Sequence, residues 1–238
     1  MNIVGATDRG AVRKRNEDNF WGGVFSTQRG DVLVAVVCDG LGGLSHGDTA
    51  SRETCEIIRK RVTEDLRPAS VTEAIYEANK AIYSVFRDND VMMGTTCTVL
   101  YLDNGRYRVF HTGDSRCYHI SSQGVQALTY DETGYNKFIN EGKPIPEGKE
   151  ERYKSLLTNG VGLKEDVHVN QYEGYYRPED RFLLCSDGFW HRLNEKDFEE
   201  LHTREVEKSF LESKINDIIF RGESDNITAV WVESSGDL

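Results

Sequence analysis

A chain of 238 residues carries 29 Lys and Arg against 40 Asp and Glu, a net charge of −11. That length bounds it to one large domain or two small ones, with enough chain to bury a core without staples. The acidic balance speaks against a nucleic-acid or anionic-membrane binder; no apolar run is long enough to span a bilayer, and MNIVGATDRGAVRKRNED at the start holds no apolar signal-peptide core.

In chain order, a first strand is expected over 3–7, then the charged stretch VRKRNED (12–18), then a strand over 20–26. Gln28-Arg29-Gly30-Asp31 turns the chain into a third strand, and these neighbours are expected to pair antiparallel. Residues 32–37, VLVAVV, form an apolar, mostly β-branched run, the pattern of a strand buried on both faces. It stops abruptly at Cys38-Asp39-Gly40 and runs into the turn of Gly42, Gly43, Leu44 and Gly47. Two amphipathic helices follow. The first spans about 48–65, with Ala50, Thr54, Ile58, Val62 and Leu66 on one face. The second is expected to be capped by Ser70 with Glu73 in the capping-box position, and to bury Ile75, Ala78, Ile82, Val85 and Phe86.

Residues 93–128 read as strand and turn, with alternation over 95–102, a hairpin at Asp103-Asn104-Gly105, and Gly113-Asp114-Ser115 between two further strands. Segment 129–166 is polar, with Pro144 and Pro146, and reads as a lid or binding loop with short helices near 135–140 and 153–157. Strands over 167–176 and 181–185 lead to Ser186-Asp187-Gly188, which repeats the strand-then-acid device of Asp39. Helices are expected over 194–201 and 204–220, and Asp225-Asn226 precede a last strand over 227–232. With no internal repeat and no linker, 1–238 reads as a single domain. Cys38, Cys55, Cys97, Cys117 and Cys185 show no C-x-x-C pairing and read as reduced core cysteines of a cytoplasmic protein, not zinc ligands.

The chemistry sits at strand ends. Taken alone, Asp39, Asp114, Asp187 and Asp225 are turn formers or helix caps. Together, on strands of a shared sheet system, they would converge, and carboxylates at one rim repel unless cations lie between them. An all-oxygen ligand set suits Mg²⁺ or Mn²⁺. Two such ions about 3.5–4 Å apart can activate a bridging water for in-line attack at phosphorus.

VRKRNED (12–18), VCDGLGGLSHGDTAS (37–51), GTTCTVLYL (94–102), HTGDSRCYHI (111–120), LLCSDGFW (183–190) and SDNITAVWV (224–232) resemble, in order, the motifs of the metal-dependent protein phosphatase 2C family, above all its compact bacterial members. The resemblance implies an α+β fold, a four-layer α/β/β/α sandwich of two antiparallel sheets flanked by helix pairs. It implies hydrolysis of phosphoserine and phosphothreonine in proteins by a water bridging two Mn²⁺ or Mg²⁺ ions, without a phosphoenzyme. Asp39 then bridges the metals and the Gly40 carbonyl binds one; Asp187 and Asp225 complete the other. Asp114 resembles the ligand of a third ion. Glu17 and Asp18 resemble the acidic pair around metal and metal waters, with Asn226 beside Asp225 behind them. Arg13 resembles the arginine that grips substrate phosphate, a role suited to a permanently charged fork. A monomer acting on phosphoproteins against a Ser/Thr kinase is the matching expectation.

The chain departs from that pattern in places. Leu41 stands where some relatives carry a histidine proposed as the leaving-group acid, and Leu44 where a histidine often follows the paired glycines. His46, two residues on, is a candidate substrate contact and otherwise a solvated loop histidine. His111 reads as a satisfied strand-end residue. Tyr130-Asp131-Glu132 replaces an expected Asp-His-Ser, and 129–166 occupies the place of the family's flap. Two alternatives stand beside the phosphoprotein phosphatase: a catalytically weak phosphoprotein-binding regulator, and a phosphatase of a small phosphoester.

Overall fold

In the computed structural model, which describes residues 1–41, 46–89, 91–203 and 207–234, ten strands form two five-stranded antiparallel sheets. Gly42, Gly43 and Leu44, the Phe86 side chain and the expected helix start at Arg204 lie outside the described residues. One sheet orders β1 (Asn2–Asp8), β10 (Ile227–Glu233), β9 (Arg181–Cys185), β6 (Arg116–Ser121) and β7 (Gly124–Ala127). The other orders β2 (Asp18–Thr27), β3 (Gly30–Asp39), β4 (Cys97–Asp103), β5 (Arg106–Thr112) and β8 (Asn170–Tyr175). Helices α1 (Gly47–Glu64) and α2 (Pro68–Asn89) cover the second sheet, and α6 (Glu195–Thr203) and α7 (Lys208–Phe220) cover the first. The short α3 (Gly134–Asn140) and α4 (Glu150–Lys154) lie in the flap segment, and α5 (Asp187–Trp190) follows β9 directly. No described helix is long and apolar enough to cross a membrane.

Side-chain alternation explains why β3 reads as one apolar run. Val34, Val36 and Cys38 face the helices and pack with Ile58, Ile75 and Val99. Leu33, Ala35 and Val37 face the other sheet and pack with Leu184, Val230 and Val232. Both faces are buried, so both alternating sets are apolar. A third apolar layer joins the first sheet to α6 and α7 through Leu201, Leu211, Ile215, Ile218 and Trp231. These layers dominate stability: a fully buried Leu or Phe contributes about 1.5–3 kcal/mol, whereas an exposed pair such as Arg59–Glu56 is worth about 0–1 kcal/mol.

Three local expectations are corrected. β1 pairs with β10, not β2, because residues 9–17 carry the chain from one sheet to the other. Residues 97–102 are buried throughout and do not alternate: β4 is central, and Thr98, which looks like an outward polar position, bonds His111 Nδ1 at 2.9 Å and the Ser115 carbonyl at 3.2 Å. Helix α2 starts at Pro68, with Ser70 already inside it. Proline fits the first helical turn, where its missing N–H costs nothing, and the Ser70 hydroxyl donates to the Asp65 and Arg67 carbonyls. The five cysteines are free and buried.

Candidate active site

The sandwich brings its acids to one end because β3, β9 and the approach to β10 all finish there. Asp39 closes β3 with its backbone fixed on three sides. Its N–H donates to Thr96 Oγ1 at 2.9 Å, and its carbonyl accepts from Thr96 N at 2.9 Å and Thr95 Oγ1 at 2.8 Å. Gly40 follows in a space that admits no side chain: a Cβ there would stand 2.4 Å from the Gly47 carbonyl oxygen and 2.5 Å from that of Glu17. Opposite Asp39 in the register of β2 lies Asp18. Its Oδ2 accepts from the Ser186 hydroxyl at 2.8 Å, and that hydroxyl accepts from Thr228 N at 2.9 Å, so one carboxylate ties the two sheets together.

Asp187 opens α5 and faces the same cavity as Asp39. Asp225 precedes β10; its Oδ2 accepts from Arg13 Nη2 at 2.6 Å and its Oδ1 from Asn226 N at 2.8 Å. Asp114 is buried in the crossover from β5 to β6, and its carbonyl accepts from Trp190 Nε1 at 3.0 Å. Arg116 stacks 3.3 Å over the Trp190 ring and grips Asp131 with two bonds of 2.9 and 2.7 Å. Asn226 fastens the Arg13 loop: its Nδ2 donates to the Arg9 and Arg15 carbonyls at 2.8 and 2.9 Å, and its Oδ1 accepts from Glu17 N at 2.9 Å.

Arg13, Asp39, Gly40, Asp114, Asp187 and Asp225 thus line one cavity of about 580 Å³. Glu17 lies behind it, its carbonyl accepting from Gly40 N at 3.1 Å and from the Ser51 hydroxyl at 2.5 Å. His46 is exposed at the start of α1, in the left-handed region with φ 64°, and is not among the described residues lining the cavity. His111 is fully buried, with Nε2 donating to the Tyr130 carbonyl at 3.2 Å and Nδ1 lying 2.9 Å from the Thr98 hydroxyl. Sequence reasoning missed the opposite wall: Met92, Thr96, Leu163, Lys164 and residues 155–158 complete the cavity. The polar composition of 129–166 carries no periodic signal for it.

The site stores electrostatic repulsion. Burial, followed by Asp18, Asp187, Asp114 and Asp225, drives the Asp39 carboxyl well above the usual carboxylate range. Burial, then Asp187 and Asp131, does the same for Asp114. Asp187 is raised by burial and by Asp225, with partial relief from His191 and from Asp39. Burial raises Asp18 to about 7, against the pull of neighbouring Thr228 and Ser186. Arg13 offsets part of this charge from the cavity wall beside Asp225, and Lys164 lines the wall opposite.

These features fit divalent cations. The buried Asp18 Oδ1 has no hydrogen-bond partner among the described residues, and the donors facing the cavity are carboxylates and the Gly40 backbone, all oxygen. Among the described residues no three His, Cys, Asp or Glu side chains form a group that would hold an ion by themselves. Mg²⁺ and Mn²⁺ need no such cage, since they keep several waters and take one or two carboxylates each.

The comparisons agree with that chemistry. The Protein phosphatase 2C family profile matches residues 9–217. The Serine/threonine phosphatase stp of Listeria monocytogenes serotype 4b is 30% identical over 241 residues, covering 95% of this chain and 93% of that protein. The crystal structure of the Mycobacterium tuberculosis serine/threonine phosphatase PstP/Ppp superposes with a TM-score of 0.79 at 27% identity, over 99% of both chains. A structure of the PstP catalytic domain in complex with two manganese ions gives a TM-score of 0.77 at 27% identity, over 98% of this chain and 97% of that one. The sandwich with its acids at one end, matched over nearly the whole chain, is therefore that of the protein phosphatase 2C family, to which this chain belongs.

Proposed function

We propose that this 2C-type phosphatase hydrolyses phosphoserine and phosphothreonine in proteins, opposing a Ser/Thr kinase, with two Mn²⁺ or Mg²⁺ ions as cofactors. The observation that carries the reading is the joint opening of Asp39, Asp187, Asp225 and Arg13 into one cavity. Asp39, the Gly40 carbonyl, Asp187 and Asp225 would hold the two ions, and Asp114 a third, with Glu17 and Asp18 holding their waters. When bound, such ions supply a charge clamp and a water acidified toward neutral pH.

The chain's own residues do the rest. Arg13 presents a guanidinium with five donors, of which Asp225 takes Nη2, so others are left for phosphate oxygens. Asn226 holds the loop that carries Arg13, which keeps that fork from drifting. The backbone bonds from Thr95 and Thr96 hold Asp39 at the strand end, so its carboxylate need not reorganise during reaction. Leu41 supplies no leaving-group acid.

The test is turnover of a phosphothreonine peptide with added Mn²⁺. Asp187→Asn is expected to lower kcat by about 10³-fold or more, since it removes both a cation ligand and part of the charge clamp, while far-UV and near-UV circular dichroism stay native. A folded Asp187→Asn protein with near wild-type turnover would sink the assignment.

A further inference from the structure

The cavity has two chemically different walls. The acids and Arg13 form one; the other is dominated by Leu41, Met92, Leu156, Leu157 and Leu163, with Ser155, Thr158 and Lys164 among them. A phosphate group needs only the first. Met92 and Leu156 are 47% and 48% exposed, an arrangement that leaves large apolar side chains in water at the mouth of a polar site.

This second wall is built, not incidental. Gly94 is its floor: a Cβ there would stand 2.8 Å from Leu163 Cδ2 and 3.1 Å from Leu41 Cδ1, so only glycine lets both leucines close over the strand end. Leu41 N donates to the Gly94 carbonyl at 3.0 Å. Leu157 bridges Thr133, and the Leu156 carbonyl accepts from Gly134 N at 2.7 Å. The leucines therefore stand on backbone already held by hydrogen bonds, and occupying them demands little ordering.

Resting on the phosphoprotein reading above, we propose that this wall is a substrate subsite for a large aliphatic side chain within two residues of the phosphorylated serine or threonine. The occupant follows from continuity: a peptide whose phosphate lies at the acidic end must leave through the same cavity, and its neighbouring side chains meet Met92, Leu156 and Leu163 on the way. Covering apolar surface there is favourable in proportion to area, whereas a flanking Asp would be desolvated against leucine beside an already acidic end, a cost that Lys164 on the same wall offsets only in part.

The test compares phosphothreonine peptides carrying Leu, Gly or Asp at each position from two before to two after the phosphoresidue, in Mn²⁺. Wild type is expected to prefer Leu over Gly about tenfold in kcat/KM at one or two of these positions, chiefly through KM, and to disfavour Asp. In Met92→Ser/Leu156→Ser the preference, read as the Leu-to-Gly ratio within the variant, should fall to about twofold or less. The single variants, each expected to lose part of the preference, control for damage to the fold. Turnover with no Leu preference, or a preference the double variant keeps, overturns the subsite alone. Failure of wild type to turn over any peptide overturns the phosphoprotein reading and the subsite with it.

Discussion

Arg13 is where the structure adds most to the reading of a single residue. In the sequence it is one of three basic residues in a charged loop. In the fold it lies 2.6 Å from Asp225, 212 positions away, and both side chains are about one-third exposed. Asp225 raises the Arg13 pKa further above its usual value, against the opposing effect of burial, so the group is charged at any working pH. A phosphate would share that guanidinium with Asp225. Charge-assisted bonds of this kind contribute about 1.5–3 kcal/mol, so Arg13→Ala is expected to raise KM for a phosphopeptide about 10–100-fold and to lower kcat less. Arg13→Lys should recover little, because an ammonium offers no planar fork. Steady-state kinetics decides: an unchanged KM would make Arg13 merely the structural partner of Asp225.

Among the elements, the flap is joined to the site at Glu132. Its backbone N–H donates to the Gly113 carbonyl at 2.8 Å, and its Oε2 accepts from Gly113 N at 3.0 Å and from Asn159 Nδ2 at 2.9 Å. Its carbonyl accepts from Thr158 N at 2.7 Å and Thr158 Oγ1 at 2.9 Å. One residue thus pins both ends of the flap to the turn that carries Asp114. Glu132→Ala should release segment 131–159 and loosen Asp114, giving faster hydrogen exchange at Gly113 and Thr158 and a kcat lowered about tenfold by misplacement of the site. Glu132→Gln keeps an acceptor and should restore most of both. Exchange rates in Glu132→Ala equal to wild type would contradict the clamp.

A second element-scale feature holds α6 to α7. Asp197 is buried and accepts from Lys214 Nζ at 2.8 Å and Arg221 Nη1 at 2.6 Å. Burial opposes its ionisation, but Arg221 and Lys214 outweigh it and hold the carboxyl well below the usual range. A pKa depressed in the folded state contributes stability above the unfolded value, about 3.9, and that contribution is lost as pH falls toward the folded pKa. Asp197→Ala is expected to cost about 2–4 kcal/mol at pH 7, somewhat under the usual cost of breaking a buried pair, because Lys214 keeps Glu200 at 2.7 Å. The cost should shrink below pH 4. Urea unfolding at pH 7 and pH 3 checks it, and an equal loss at both would contradict the ionic account.

At the scale of the molecule, a chain of net charge −11 gathers four buried or part-buried aspartates at one end of its sandwich. Folding without cations therefore works against carboxylate repulsion. Saturating Mn²⁺ binds the folded state alone and adds about 2.7 kcal/mol at a hundredfold excess over Kd, which for a domain of this size raises Tm by about 5–10 °C. Chelator should reverse the shift and abolish hydrolysis, whereas added NaCl of equal ionic strength should do neither. An unchanged Tm in Mn²⁺ would contradict cation binding at this end.

The set of strand ends bearing acids is legible in the amino-acid order alone. Asp39 and Asp187 each follow an apolar strand within one or two residues, and strand, turn and glycine are local patterns set by steric and burial preferences over a few residues. The helix pairs and the layered sandwich were legible for the same reason: their periodicities are written into each segment. Which strands are neighbours emerges only when the layers pack. Packing set β1 against β10, made β4 a central strand despite Thr98, and placed Arg13 on Asp225, Glu132 on Gly113 and Leu163 beside Leu41. Those contacts join residues far apart in the chain, in segments such as 129–166 that lack any repeating pattern. Their partners are chosen by packing and by the need to satisfy buried polar groups, and that choice exists only once the layers have closed.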